Sequence, residues 1–256
     1  MKKQHKKSPL KSKPLRHAGQ SLDEEIQSIV SENVAIYAMI IVMPIALIVM
    51  EWYRWYMQVP PSPVWTTIFL LPLTVYGIYK LRKEIKHVER LKQGRDGEKA
   101  VGQYLESFRE AGMKVHHDIV GDGFNIDHVL ISTKGVYLIE TKTYSKPLKG
   151  KTEIEFDGLD FYYNGVKYDD NIQVQVMAGS TWLKNIIEEL TIKKVEVKPV
   201  VVFPGWFVKM TREHESNIWA LNPRNLHAFI NKQKDVISKE DVQLISNYLA
   251  RYIRAE

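Results

Sequence analysis

The stretch that decides the fold is residues 125–142, which read NIDHVLISTKGVYLIETK. Apolar residues fill most of both halves, and the Ser-Thr-Lys-Gly segment between them predicts a tight turn. Such a turn fixes the register of an antiparallel hairpin. Ile131 is then expected opposite Val136, and Val129 opposite Leu138. Because a slip of one residue would reverse both faces, this register determines which side chains meet at the end of the hairpin.

Two carboxylates are predicted to meet at that end. Continuing the register places Asp127 opposite Glu140, with Cβ atoms about 4.5–5.5 Å apart. Like charges at this distance destabilise a sheet, and one carboxylate takes up a proton unless a cation compensates the charge. Hard oxygen ligands suit Mg²⁺ or Mn²⁺, so the pair predicts a divalent-metal site. Lys142 follows on the same face as Glu140, where its ammonium can reach a phosphate or a water nucleophile.

Each of these residues also has a structural explanation when it is taken alone. Glu140 and Lys142 would be an ordinary solvated strand end, and Asp127 a turn residue. Together they favour a functional site, because perturbed carboxylate pairs cluster at functional positions.

Two residues outside the hairpin are predicted to join the site. Glu98 shares a helical face with Val101 and Leu105. The helix dipole would stabilise an acid in a first turn, but it does not explain the position on an apolar face. Gln175 lies within a helix predicted over 171–190 and is expected to face inward. The alternative for Gln175 is a buried amide whose hydrogen bonds are satisfied structurally.

Secondary-structure patterns predict a mixed α/β fold. A charged helix is expected over 80–95, interrupted by the Gly-Arg-Asp-Gly break at 94–97, and a second helix is expected before Gly112. Strands are predicted over 113–120, 125–131, 136–142, 154–156, 162–168 and 195–203, and further helices over 171–190, 223–232 and 239–254. This order is typical of a mixed sheet covered by helices.

Histidines do not favour a zinc site. His116 and His117 are neighbours on a strand, so their side chains point to opposite faces. His128 follows Asp127 and is expected to face away from the carboxylate pair. The chain has no cysteine, which also excludes a thiolate metal site, a disulfide scaffold and a cysteine nucleophile.

Positive charge is concentrated in two flanks of the chain. The 256 residues carry 36 Lys and Arg against 30 Asp and Glu, a formal net charge of +6. Residues 1–17 contain seven of these bases and no acid, and residues 80–95 contain seven bases and two acids. From Asp96 onward, 21 basic and 23 acidic residues leave a net charge of −2. The excess charge therefore does not predict a nucleic-acid interface on the larger domain.

Two apolar runs lie between the basic flanks. Residues 34–50 contain no charge over 17 positions, and residues 64–79 form a second run of 16. A membrane-spanning helix needs about 20 apolar residues, with a lower limit of about 17, and Trp52 and Tyr79 extend the runs towards the interface. The sequence predicts a two-helix transmembrane hairpin over 34–79, with the lipid bilayer as a partner. The alternative is a helical hairpin buried in a soluble protein.

The basic residues predict the orientation of this hairpin. Seven precede the first run, seven follow the second, and Arg54 alone lies in the connector. The positive-inside rule then places both termini and the larger domain in the cytoplasm. The expected parts are a disordered basic tail (1–33), the hairpin (34–79), a charged juxtamembrane helix (80–95) and a soluble domain (96–256). The tail is predicted to set the topology and to be able to touch anionic lipid.

Three separated motifs resemble the nuclease-related domain (NERD) family. They are Gly97-Glu98 at the start of a helix, GFNIDH at 123–128 and GVYLIETK at 135–142. The resemblance covers about residues 94–203 and is specific, because the motifs occur in order. The family is assigned to the restriction-endonuclease-like superfamily of PD-(D/E)xK nucleases. This implies a restriction-endonuclease-like mixed sheet flanked by helices.

The resemblance implies a role for each matched residue. Glu98 would be the acid contributed by the first helix, and Asp127 the motif aspartate that binds the catalytic metal. Glu140 would be a further metal ligand, and Lys142 the lysine that orients or activates water. The three carboxylates would hold Mg²⁺ or Mn²⁺.

A helix start provides the last part of the resemblance. Residues 171–175 resemble the family's N-P-x-x-Q motif, with Gln175 as its final residue, although Ile172 stands where proline is usual. Basic residues after the hairpin are candidates for contacts to backbone phosphates, with a solvated loop as the alternative. They are Lys146, Lys149 and Lys151.

Together these features imply a membrane-anchored, metal-dependent nuclease that hydrolyses phosphodiester bonds of DNA or RNA on the cytoplasmic side. One alternative is a membrane-tethered module that binds nucleic acid or protein, with the nuclease fold but no catalysis. Another is a structural or interaction protein in which the hairpin only anchors, and this alternative predicts no metal binding.

Overall fold

A computed structural model describes most of the chain and divides it into two units. The described residues are 13–59, 63–121, 123–147, 152–168, 171–211 and 216–255. One unit, the helical unit, comprises Ser21–Gln93. The other, the α/β unit, comprises Gly94–Glu256 together with the chain up to Gln20.

The helical unit contains two long apolar helices. Helix α1 (Gln20–Ile29) continues through a π-helical turn (Val30–Val34) into α2 (Ala35–Tyr56). After the connector, α3 begins at Pro63 and ends at Glu110. Helical structure therefore begins at Gln20, within the segment that the sequence predicted to be a disordered tail.

Helices α2 and α3 pack against each other as a hairpin. The Trp52 indole Nε1 donates to Thr67 Oγ1 at 3.1 Å near the connector. Further along, α3 approaches α2 so closely that a Cβ built on Gly77 would lie 2.9 Å from Ile41 Cγ1. Both helices are long and apolar enough to cross a membrane. Only 6% and 11% of their most apolar 18-residue stretches are buried. Their apolar side chains are thus not covered by the described part of this chain.

The predicted break at residues 94–97 is wrong. Helix α3 is a single element of 48 residues that passes through Gly94 and Gly97 without interruption. Glycine lowers helix propensity, but packing overrides propensity where a close approach is needed. Gly97 provides such a close approach, which is described below with the site.

The main sheet has five strands and is mixed. Its order is β1-β2-β3-β7-β9. The strands are β1 (Lys114–Val120), β2 (Asn125–Ser132), β3 (Gly135–Thr141), β7 (Val197–Val202) and β9 (Trp219–Leu221). The first three strands are antiparallel neighbours, whereas β7 runs parallel to both β3 and β9. Strand β7, which lies within the apolar run predicted as a strand over 195–203, is therefore in the interior of the sheet, between β3 and β9.

A smaller, second sheet of four strands follows in the order β6-β5-β4-β8. These strands are β4 (Glu153–Phe156), β5 (Phe161–Tyr163), β6 (Val166–Lys167) and β8 (Phe207–Met210). Asn164 and Gly165 form the β5–β6 turn with φ values of 50° and 75°, so the strand predicted over 162–168 is a short hairpin with the Asn-Gly turn that positive φ values favour. Strands β8 and β9 were not predicted, because each is too short to show a clear alternation.

Helices cover both faces of the main sheet. Helix α3 and helix α5 (Leu226–Asn231) contribute to a core with Leu130 and Ile139. Helix α4 (Ile172–Thr191) and helix α6 (Lys239–Ala255) contribute to the opposite core with Val129 and Leu138. The prediction of a mixed α/β fold flanked by helices is confirmed. The arrangement fixes the end of the β2–β3 hairpin between two helical layers.

Truncating Leu138 should test how much this packing holds the hairpin. The side chain is 1% exposed, and α4 approaches it at Gly179, where an added Cβ would lie 3.0 Å from Leu138 Cδ1. We expect Leu138→Ala to lower the free energy of unfolding by about 2–5 kcal/mol, because the cavity cannot collapse against a sheet. Val166→Ala, at a side chain that is 70% exposed, should change it by less than about 0.5 kcal/mol. Urea unfolding followed by tryptophan fluorescence measures both; equal effects would contradict the packing described.

Candidate active site

The predicted register of the β2–β3 hairpin is confirmed along the paired strands. Ile131 pairs with Val136 and Val129 pairs with Leu138, and the last ladder pair is His128 with Ile139. The backbone pairing of β3 with β7 extends further, because Lys142 N donates to the Val202 carbonyl at 2.9 Å. The E-x-K segment is therefore held by β7 beyond the point where its pairing with β2 ends.

A local distortion lies where β1 and β2 carry Asp118 and Asp127. In the described ladder, pairs form on both sides of these two residues but not between them. Asp118 has a φ of 52°, a left-handed conformation that is uncommon for a non-glycine residue in a strand. Ile126 joins the same core as Val129, so the regular alternation of β2 is broken between them. The ladder between β2 and β3 ends at His128 and Ile139, so Asp127 and Glu140 do not form the cross-strand pair that regular alternation predicted.

Asp127 is buried and accepts a hydrogen bond from the end of β3, next to Glu140. Its side chain is 7% exposed, and its Oδ2 accepts a hydrogen bond from the Thr141 backbone N–H at 2.7 Å. This bond fixes the carboxylate beside the E-x-K segment. The sequence did not predict this contact, because every residue except proline has a backbone N–H and nothing distinguishes that of Thr141.

Glu140 belongs to a closed triangle of polar contacts. Its Oε1 accepts from the Gln175 amide Nε2 at 2.8 Å and lies 3.1 Å from Lys142 Nζ. Lys142 Nζ in turn donates to Gln175 Oε1 at 3.0 Å. Glu140 is 4% exposed, which excludes the alternative of a solvated strand end for this residue. The Lys142 side chain keeps 23% of its surface exposed, so its ammonium is held in position and remains accessible.

The structure brings Gln175 to the site, but not as a buried residue. It is exposed and lies in the first turn of α4, which begins at Ile172 after Asn171. The prediction of an inward-facing amide is wrong, because Gln175 is exposed and its amide instead contacts Glu140 and Lys142. Ile172 is buried at the first helical position, where proline would also fit. The departure from proline therefore leaves the helix start in place.

Glu98 reaches the site from helix α3 through an unusually close approach. A Cβ built on the preceding residue, Gly97, would lie 1.8 Å from Thr143 Oγ1, so only glycine fits there. Glu98 is 8% exposed. Its Oε2 has no hydrogen-bond partner within the described ranges, and the same is true of Thr143 Oγ1. The site thus contains buried oxygen atoms that are available to a ligand.

Burial perturbs all three acids, and repulsion between carboxylates adds to the shift at two of them. Burial, followed by the charges of Asp118 and Glu140, raises the pKa of Glu98 from 4.5 to about 8. Burial, with the charges of Glu140 and Glu98, raises the pKa of Asp127 well above its ordinary range. Burial also raises the pKa of Glu140, although Lys142 and Gln175 oppose the shift. The charge of Glu140 therefore acts on both Glu98 and Asp127.

The donor set fits a hard divalent cation in chemistry but is not a preformed cage. Among the residues that the structure describes, no three His, Cys, Asp or Glu side chains are arranged closely enough to enclose a metal. Thr141 engages one Asp127 oxygen, and Gln175 and Lys142 engage one Glu140 oxygen. The unpartnered Glu98 Oε2 and the raised pKa values are consistent with a site that a cation would complete.

The predicted phosphate-contact lysines are only partly described. Lys146 is exposed, whereas Lys149 and Lys151 lie outside the described residues. Lys142 and Gln175 line a cleft of about 340 Å³ at the start of α4. A larger cavity of about 750 Å³ is lined by Gly135 and Tyr137, at the opposite end of β3. The smaller cleft adjoins the candidate site, because both Lys142 and Gln175 contact Glu140.

Histidines form a separate group beside α3. His117 Nδ1 and His128 Nδ1 lie 2.9 Å apart, and His117 Nε2 lies 2.9 Å from Glu106 Oε1. His116 points to the other side, where its Nε2 contacts Ser246 Oγ at 2.9 Å. The predicted divergence of His116 and His117 is confirmed. No histidine contact to the acids of the candidate site is found in the described part of the chain.

Comparison with known proteins supports the resemblance to a nuclease-related family. Residues 93–204 match the family model described as NERD, nuclease-related domain. No curated protein and no solved structure matches the chain. The match contains Glu98, Asp127, Glu140, Lys142 and Gln175, and it confirms the resemblance drawn from the motifs.

The raised pKa of Glu98 predicts a pH dependence of stability in the presence of a metal chelator. Between pH 4.5 and about 8 the folded protein holds a proton on Glu98 that the unfolded chain has released. The contribution of Glu98 is therefore fully present below about pH 4.5 and is lost as the pH rises towards 8. Urea midpoints across this range should fall with rising pH, and less steeply for Glu98→Gln. Glu155→Gln, at an exposed acid, should retain the wild-type slope; an unchanged slope in Glu98→Gln would contradict the shift.

Proposed function

We propose, from the premise that residues 93–204 belong to the nuclease-related domain family, that this protein is a membrane-anchored, divalent-metal-dependent nuclease. It hydrolyses phosphodiester bonds of DNA or RNA on the cytoplasmic side of the membrane. Its catalytic residues are Glu98, Asp127, Glu140, Lys142 and Gln175. The acids hold Mg²⁺ or Mn²⁺.

The triangle formed by Glu140, Lys142 and Gln175 carries this proposal. A buried carboxylate beside an accessible ammonium is costly unless further hydrogen bonds satisfy both groups. Gln175 supplies these bonds, since its amide donates to Glu140 and accepts from Lys142. The result is a fixed carboxylate and a fixed lysine at the mouth of a cleft. Such an arrangement suits transition-state stabilisation, because its charges need little reorganisation.

Each residue has a defined task in phosphodiester hydrolysis. A bound divalent cation supplies Lewis-acid polarisation of the phosphate and a lower pKa for a water molecule. Asp127 and Glu140 present their oxygens from positions fixed by Thr141 N and Gln175, and Glu98 adds the oxygen that has no described protein partner. Lys142 stabilises the negative charge that develops on the phosphate oxygens.

Substrate contacts outside the acids are expected to be electrostatic. Lys146 is exposed shortly after Lys142, where it would bind a backbone phosphate without reading sequence. Lys149 and Lys151 follow in the chain and would extend the same contact. The chain from Asp96 onward carries slightly more acids than bases, so we expect affinity to depend on this local cluster and to fall with salt.

The helical unit is proposed to be the membrane anchor. Helices α2 and α3 meet the length and apolarity needed to span a bilayer, and their most apolar stretches are largely uncovered. Trp52 and Trp55 lie near the connector, where aromatic side chains favour an interface. The distribution of basic residues supports a cytoplasmic location for the α/β unit and both termini under the positive-inside rule.

A binding module without catalysis is the second candidate. The observation that favours it is the absence, among the described side chains, of a preformed three-ligand metal cage. In that case the triangle would only stabilise the hairpin end, and the domain would bind nucleic acid or protein. Metal-binding and cleavage measurements separate the two functions.

Disrupting the triangle should abolish cleavage without unfolding the protein. The purified full-length protein should cleave DNA or RNA oligonucleotides with Mg²⁺ or Mn²⁺ and lose this activity in EDTA. Lys142→Ala should lower kcat by about 10²–10³, the cost of removing one group that stabilises developing charge. Glu140→Gln should lose metal binding, because the amide cannot replace a charged ligand.

An exposed ion pair provides matched controls. Lys209 Nζ lies 3.1 Å from Glu155 Oε1, the same separation as Lys142 from Glu140, and both side chains are about half exposed. Lys209→Ala and Glu155→Gln should retain wild-type activity. Cleavage that survives Lys142→Ala and Glu140→Gln would exclude the proposed site. A folded wild-type protein that neither binds metal nor cuts nucleic acid would support the binding module.

Single cysteines test the proposed orientation, because the native chain contains none. Met57→Cys lies in the connector and Ser107→Cys on α3 in the α/β unit, both at exposed positions. In intact cells a membrane-impermeant maleimide should label Met57→Cys only. After lysis it should label Ser107→Cys as well. Labelling of Ser107→Cys before lysis, or release of the protein by alkaline carbonate, would contradict a cytoplasmic domain on a spanning hairpin.

A further inference from the structure

We propose that residues 16–19, the segment just before helix α1, form a strap that positions Glu98 for metal binding. This inference rests on the proposed metal-dependent function and extends the site beyond residues 93–204. The strap belongs to the α/β unit although it precedes the helical unit in the chain. Three contacts of different kinds define it.

The first contact is a buried ion pair. The Arg16 guanidinium Nε donates to Asp118 Oδ2, and Asn125 Nδ2 donates to Asp118 Oδ1 at 2.7 Å. The Asp118 side chain has no exposed surface. Removing one member of a buried ion pair leaves an uncompensated charge, which is strongly unfavourable. Arg16 therefore compensates the buried charge of Asp118, which lies at the distortion beside Asp127.

The second contact is steric and involves Ala18. A Cβ built on Gly102 of α3 would lie only 2.6 Å from the Ala18 Cβ, whereas its other neighbours are at 3.6 Å or more. Ala18 itself is 9% exposed. Gly102 thus provides the space in which the strap lies against α3, one helical turn after Glu98.

The third contact places Gly19 against α3, one helical turn before Glu98. A Cβ built on Gly19 would lie 3.0 Å from Arg95 Cγ and 3.3 Å from the Arg95 carbonyl oxygen. Gly19 has a φ of 72°, in the left-handed region that favours glycine, so the backbone geometry and the space both require glycine. The Gly19 backbone N–H also opposes, to a small extent, the rise that burial causes in the pKa of Glu98.

Together the contacts give the strap a positioning role. Gly19 lies against Arg95 and Ala18 lies against Gly102, so the docked strap crosses the face of α3 that carries Glu98. In the described structure Glu98 Oε2 is buried and has no hydrogen-bond partner, which leaves it available to a cation. Groups that orient metal ligands typically contribute about 10–100-fold to metal affinity. The N-terminal segment therefore does more than set membrane topology: it completes the site from outside the family domain.

A clash and its relief test this role in the full-length protein. Gly102→Ala places a methyl group against Ala18 and should displace the strap. The double variant Ala18→Gly/Gly102→Ala restores the space and should restore docking, with Ala18→Gly alone as the control. Arg16→Ala removes the ion pair without changing α3 and provides an independent second variant.

The measurements are hydrogen exchange of residues 16–20, Mn²⁺ affinity by titration, and kcat and KM for an oligonucleotide. We expect Gly102→Ala and Arg16→Ala to lose exchange protection in the strap and to weaken Mn²⁺ binding by about 10–100-fold. kcat at fixed Mn²⁺ should fall while KM for the oligonucleotide stays unchanged. The double variant should regain all three values. A thermal midpoint near that of the wild type shows that the fold is retained.

Several results would overturn the proposal. Rapid exchange of residues 16–20 in the wild type would show that the strap does not dock. Lost protection with unchanged Mn²⁺ affinity would show that it docks without positioning Glu98. Failure of the double variant to recover would contradict the steric contact. A wild-type protein that binds no Mn²⁺ refutes the proposed function, whereas normal binding that is insensitive to both variants refutes the strap alone.

Discussion

Three carboxyl groups are buried close together at one end of the five-stranded sheet, and much of the local structure serves to compensate them. Burial disfavours their charged forms, and the charge of Glu140 also raises the pKa of both Glu98 and Asp127. A backbone amide, a glutamine and a lysine offset part of this cost at Asp127 and Glu140. At Glu98 the cost of burial is not offset in the same way, because its buried Oε2 has no hydrogen-bond partner in the described structure. A site that is incompletely satisfied in this way is typical of ligand binding rather than of fold stabilisation.

Glycine residues allow the helical layer to approach this strained end of the sheet. Gly97 admits Thr143 to a distance that no side chain would permit, and Gly102 admits Ala18. Both lie on α3, the helix that also carries Glu98 and begins in the helical unit. The same helix thus belongs to the proposed membrane anchor and to the proposed active site.

The interruption expected at residues 94–97 illustrates why sequence patterns mislead at functional sites. Two glycines and a charged pair are usually a break, because glycine costs about 1 kcal/mol in a helix. Here the close contact with Thr143 requires glycine within a continuous helix. Gln175 shows a related error, since its spacing from apolar residues suggested burial. Its place in the first turn of α4 exposes it while its amide bonds to Glu140.

The sequence alone determined the β2–β3 register, the mixed α/β class, the apolar hairpin and the residues gathered at the site. These depend on local periodicity, turn chemistry and ordered motifs, which are readable without a partner segment. Only the tertiary structure decided the distortion at Asp118 and Asp127, the Thr141 amide contact and the docking of residues 16–19. These contacts join segments far apart in the chain, through backbone groups and packing space that carry no residue-type signal. An arginine in a basic tail looks the same whether it faces solvent or pairs with a buried aspartate.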